Sequence, residues 1–122
     1  MPAPEVLIKR AYEPAAASDG YRVLVDRLWP RGLTKQAVPF DEWDKDLAPS
    51  PQLRKWFGHE PERWTEFQKR YREELSTATQ RERLKALLHA SGRRTLTLVY
   101  GAKDPEHNHA LVLQAELKKL SK

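Results

Sequence analysis

Two short runs with strand composition stand on either side of a long helical stretch, and that order restricts the fold more than any other feature of the chain. The first run is Tyr21-Arg22-Val23-Leu24-Val25-Asp26, rich in β-branched and apolar residues and preceded by the turn dipeptide Asp19-Gly20. The second is Leu96-Thr97-Leu98-Val99-Tyr100. Val6-Leu7-Ile8 adds a short apolar run suited to a buried strand. The Tyr12 to Gly20 connection, with one helical turn in its alanines, is near the lower length limit for a parallel crossover, so strand direction stays open there. Val38-Pro39-Phe40 and Glu42-Trp43-Asp44 form a further extended piece, which Pro39 confines to an edge.

The intervening segments have helical signals. Ser50-Pro51 is an N-cap followed by proline at the first helical position, and the helix closes at Gly58. Pro61 opens the next helix, where Trp64, Phe67, Tyr71 and Leu75 fall on one face. Thr79 and Glu82 make a capping box for a third, with Leu84, Leu87 and Leu88 buried and Gly92 as its stop. Asp104-Pro105 starts a last helix carrying Leu111, Val112, Leu113, Leu117 and Leu120. The expectation is an α/β layer fold: residues 1–122 as one compact domain, with a small, mostly parallel sheet of about four strands flanked by helices.

Composition removes several classes of function. The chain has no cysteine, so disulfides, thiolate nucleophiles and cysteine metal sites are excluded. No run approaches the roughly 18 apolar residues of a membrane span. Met1 to Glu5 lacks the pattern of a secretory signal, so a cytoplasmic location is expected. The formal charge is 22 − 17 = +5. All of it lies in residues 62–122, where bases alternate with acids at helical spacing, the signature of a solvated face rather than a nucleic-acid footprint.

Two strands end in dense polar turns. One holds Asp26, Arg27, Trp29 and Arg31; the other holds Lys103, Asp104, Asn108 and His109. Ligands of open α/β sheets bind beyond the carboxyl ends of strands. If the two strands are parallel neighbours, both turns meet at one cleft. Arginine supplies a planar fork and lysine a point charge for an anion, and a helix beginning after Lys103 would add its N-terminal N–H groups. In this reading Arg27, Arg31 and Lys103 hold the anion. Asp26 is a base or orients an arginine, and His109 is a proton donor. Trp29 could stack on a ring, and Lys45 could enter the cleft. Structural roles compete with each of these: Asp26 could pair with a neighbouring cation, and Asp104 could serve only as an N-cap. His107 and His109 are two apart, so on a helix they diverge and do not share a metal; no metal or other cofactor is expected.

The strings Ser18 to Gly32, Trp43 to Ser50, Leu53 to Phe57 and Tyr100 to Asp104, with Asn108-His109-Ala110, closely resemble the YeaO-like family, a branch of the DUF488 superfamily of domains of unknown function. The resemblance spans almost the whole chain. It implies a compact bacterial α/β protein and supplies no activity or catalytic residues. It also implies that longer relatives carry a cysteine where Asn108 stands, so any thiol chemistry of theirs is void here. Three functions remain. The leading one is a site for a small anionic, nucleotide- or phosphate-like ligand, with hydrolase or transferase chemistry as an option. The others are a nucleic-acid-binding module and a protein-interaction domain.

Overall fold

A computed structural model describes residues 5–121; the expectation that Met1 to Pro4 hold no secretory signal lies outside the described residues. Four strands form one sheet: β1 (Val6–Arg10), β2 (Tyr21–Leu24), β3 (Glu42–Trp43) and β4 (Leu96–Tyr100). Their order is β1-β4-β2-β3 and every pairing is parallel. β4 lies inside and is buried at all five positions; four of them are apolar or aromatic, and the Thr97 hydroxyl donates to Asp19 O at 2.7 Å. β1 is an edge strand. Val6 is buried, but Leu7 is exposed, so the expected buried strand is only half buried. β2 stops at Leu24, although Val25 N–H still donates to Val99 O at 3.0 Å. β3 keeps two residues of the extended piece, at the other edge, and excludes Val38-Pro39-Phe40. Pro39 has no N–H to offer a ladder.

The helices are α1 (Pro51–Phe57), α2 (Trp64–Leu75), α3 (Ala78–Ser91) and α4 (His109–Leu120). Ser50 caps α1 by accepting from Leu53 N–H. α3 is capped by Thr77, which accepts from Gln80 N–H, and not by Thr79. Both threonines fit the capping pattern, and the one nearer the end of α2 takes the role. α4 begins five residues later than Asp104: its N-cap is Asn108, whose side chain accepts from Leu111 N–H. No helix among the described residues is long and apolar enough to cross a membrane.

All four helices share one face of the sheet. Leu53, Phe67, Tyr71, Leu84, Leu87 and Leu113 cluster with Val23, Val25, Leu96 and Leu98. The other face, presented by Leu24 and Val99, is covered by non-helical chain through Ala11, Trp29, Leu33 and Val38. Topology explains this asymmetry. The steps from β1 to β2 and from β2 to β3 cross the sheet in one direction, and the step from β3 to β4 returns. A single crossover hand puts outward and return connections on opposite faces. The return carries α1, α2 and α3, and α4, which follows β4, packs on the same face.

The short outward step is held by a buried ion cluster. Asp19 receives Lys9 Nζ at 2.9 Å, Arg22 Nη1 at 2.5 Å and the Ala16 N–H at 3.0 Å. Gly20, next in the chain, has φ 67°, and a Cβ there would lie 2.2 Å from Thr95 O.

Two carboxylates should therefore give opposite pH responses. Burial alone would raise the Asp19 carboxyl, but the donors from Lys9, Ala16 and Arg22 outweigh it and hold the group below its ordinary 3.8. Its stabilisation is complete above that value and is lost as pH falls through the lower folded value. Burial, reinforced by Glu42, pushes Asp44 up from 3.8 to about 6. Its contribution is intact below 3.8 and is lost as pH rises through about 6. In urea titrations, Asp19→Asn should lose about 3 kcal/mol at pH 7 by breaking a buried pair. Asp44→Asn should be more stable than the parent at pH 8 and lose that advantage by pH 4. Equal stability of Asp44→Asn and parent at pH 8 would contradict the Asp44 assignment.

Candidate functional site

β2 and β4 are adjacent and parallel, and the chain leaves them toward opposite faces of the sheet. That arrangement is a topological switch point, and it opens a crevice at the carboxyl ends of the two strands. A cleft of about 480 Å³ lies there. The turn after β2 lines it with Asp26, Arg27, Leu28, Trp29, Pro30 and Arg31. The turn after β4 supplies Gly101, Ala102, His107, Asn108 and His109. A third wall comes from α1 and its exit, with Arg54, Lys55, Phe57 and His59.

Asp26 joins the two turns. Its Oδ2 accepts from Gly101 N–H at 2.9 Å, and its buried Oδ1 lies 3.3 Å from His109 Nε2. The same Nε2 is 3.0 Å from Val25 O. Both oxygens are acceptors, so Nε2 must carry the proton. A Cβ at Gly101 would meet Asp26 Oδ2 at 2.9 Å, so a side chain there displaces the carboxylate. β1 reaches the same corner: Arg10 Nε donates to Ala102 O at 2.8 Å, with its guanidinium over the Tyr12 ring.

The cationic residues differ in how they are held. Arg27 Nη2 reaches the carbonyls of Ala48 and Pro49 at 3.4 and 3.3 Å, while its buried Nε has no hydrogen-bond partner among the described residues. Arg31, Arg54 and Lys55 are exposed. None of these four cations forms an ion pair among the described residues. Among the described residues, Asp26 is the only carboxylate in the lining. Behind the cleft, burial, then the charges of Glu74, Asp26 and Asp44, push the Tyr71 phenol well above its ordinary range, and it donates to Leu47 O as a neutral hydroxyl.

Of the residues singled out from sequence, Asp26, Arg27, Trp29, Arg31, Asn108 and His109 line the cleft. Lys45, Lys103 and Asp104 do not. Lys103 is exposed, and Lys45 stacks on Trp43 at 4.2 Å. Asp104 sits in the loop before α4, where the Glu106 N–H and His107 Nδ1, at 2.9 and 2.7 Å, lower its carboxyl below the usual range. Asn108 has both ends of its amide engaged, with Leu111 N–H and with Asp104 O. Trp29 packs on Phe40 and Trp43 and donates to Leu33 O at 2.7 Å. The free anion site expected at a helix following Lys103 is not present: α4 starts at His109, and its first turn already faces Asp26. His107 precedes the helix, so helical spacing is not what separates it from His109.

Sequence reasoning missed Arg54, Lys55, His59 and Tyr12. On α1 the basic pair looks like an ordinary solvated charge, and only the packing of α1 aims it. Ser50 N–H and Oγ both donate to Glu74, at 2.9 and 2.6 Å, and Phe57 stacks on Phe67 at 4.4 Å. The Gly58-His59 pair, directly after a helix stop, was the one available signal for His59.

Asp26 should matter to folding as well as to the cleft. Asp26→Ala leaves the Gly101 N–H unpaired and should cost about 2 kcal/mol in urea titration. Gly101→Ala should also destabilise, because it forces the same contact apart. Unchanged stability in both variants would mean that the bridge does not hold the turns together.

A family model described as the inactive DUF488-N3 subclade matches residues 5–122. The uncharacterized protein YeaO of Escherichia coli (strain K12) is 47% identical over 112 residues, covering 92% of this chain and 96% of that protein. Uncharacterized proteins Rv3073c of Mycobacterium tuberculosis and Mb3100c of Mycobacterium bovis are each 43% identical over 108 residues, covering 88% of this chain and 89% of theirs. No solved structure matches the chain.

Proposed function

The chain belongs to the YeaO-like DUF488 family, in the subclade described as inactive, and from that premise we propose that it binds a small anionic ligand, nucleotide- or phosphate-like, in the switch-point cleft without breaking bonds in it. One observation carries this reading. Arg27, Arg31, Arg54 and Lys55 line the cleft without an ion pair among the described residues, against one carboxylate among the described lining residues, Asp26, whose Oδ2 is held by Gly101 N–H. Unbalanced cations in a concave site attract an anion, and the arginine forks match carboxylate or phosphate oxygens.

The lining favours binding over catalysis. Among the described residues it offers no serine, threonine or cysteine as a nucleophile. His109 Nε2–H is committed to Val25 O, so the proton of a general acid would have to leave an existing fold contact. The hydrolase or transferase option requires Asp26 and His109 to act while they hold the two turns.

Arg31→Ala and Arg54→Ala test the proposal, since both side chains are exposed and their loss should leave unfolding temperature unchanged. Inorganic phosphate and ribonucleoside monophosphates should raise the melting temperature of the parent; saturation to about 100 times Kd stabilises by roughly 2.7 kcal/mol. Each alanine variant should weaken binding about tenfold, as expected for loss of a charge-assisted contact. A parent protein whose melting temperature and calorimetric titration ignore every one of these anions refutes the proposal.

A further inference from the structure

The cleft is far more than an anion hole. Its volume of about 480 Å³ falls within the roughly 300–1,000 Å³ that accommodates organic ligands of drug size. Among the described residues, three large hydrophobic side chains are exposed, and two of them, Tyr12 and Leu28, line this cleft, with Leu28 at 65%. Exposed apolar surface gathered beside unpaired cations matches a ligand that is apolar at one end and anionic at the other.

His59 adds an independent observation. It is the only non-glycine residue with positive φ among the described residues, at 59°, and it follows Gly58 at 53°. A side chain in this region costs the fold something that glycine would not. His59 gains no hydrogen bond from the fold in return: it is exposed, and its imidazole has no hydrogen-bond partner among the described residues. The ring does line the cleft, 6.4 Å from the Phe57 ring at 49°, one position beyond the helix that carries Arg54 and Lys55. Backbone strain retained at a cleft, with no hydrogen bond to offset it, points to a use of the side chain.

We propose that the occupant is a ring-bearing anion of nucleoside monophosphate size, its charge on Arg54 and Lys55 and its flat ring against His59 and the edge of Phe57. Aromatic contact with a ring is tolerant of its identity, so the wall selects flat ligands as a class. The inference rests on the anion-binding reading but adds a demand of its own: inorganic phosphate alone must be the poorer ligand.

The test is calorimetric titration of the full chain with inorganic phosphate and, separately, with the four ribonucleoside 5′-monophosphates. At least one monophosphate should bind about tenfold tighter than phosphate or better. His59→Gly should bring that monophosphate down about fivefold while leaving phosphate unchanged, with a melting temperature equal to or above the parent's. His59→Asn, which tolerates the same backbone and lacks the ring, should behave in the same way and keeps the test decisive if the glycine variant folds poorly. Phosphate binding with no gain from any nucleoside overturns this inference and leaves the anion site standing. So does full monophosphate affinity in either variant. No binding by any of the five probes overturns both readings.

Discussion

The carboxylate of Asp26 ties together the ends of the two central strands. β2 and β4 pair along their length, but beyond Val25 and Tyr100 the chain departs toward opposite faces, and the main-chain ladder does not follow. Asp26 takes over at that point. One oxygen receives the Gly101 N–H, and the other faces the His109 imidazole, which also holds Val25 O. Without this bridge the turn after β2 and the start of α4 would be separate loops. With it they are the floor and wall of one cleft. The same engagement makes Asp26 a poor candidate for an unencumbered base, so the interaction that builds the site also disfavours one chemistry in it.

The sheet is covered unequally. Helices occupy only the face to which the long β3–β4 connection returns, while loops and the Lys9–Asp19–Arg22 cluster cover the other. The cleft lies where the two coverings part. Its walls therefore differ in kind: a rigid helical wall bearing Arg54, Lys55 and Phe57, and a loop wall bearing Leu28, Trp29 and Arg31. The helical wall is fixed from behind by the Ser50–Glu74 hydrogen bonds and the Phe57–Phe67 stack. The placement of Arg54 and Lys55 depends on those two supports.

Much of this was legible in the residues. The strand at Leu96–Tyr100, the Ser50 cap, the Gly58 and Gly92 stops and the apolar stripe of α2 all follow from local chemistry, and the structure keeps them. Errors fell where two local signals were equivalent. Thr77 and Thr79 both fit a cap, as do Asp104 and Asn108, and packing chose between them. The site was half legible for a related reason. Asp26, Arg27 and Arg31 announce themselves as a polar cluster ending a strand. Arg54, Lys55 and His59 belong to an unremarkable helix end, and nothing local says which way it points. Lys45 and Lys103 had the right chemistry and lie outside the lining.

The amino-acid sequence alone determined the kinds and order of the elements, because apolar periodicity, caps and turn residues act over a few positions, and it determined which side chains could grip an anion at all. The tertiary structure decided which of them meet. Strand order and the face each connection takes are non-local, and the bridge from Asp26 to Gly101 and His109 joins residues 75 and more positions apart. Such contacts are chosen by the packing of whole elements, which no short window of sequence encodes.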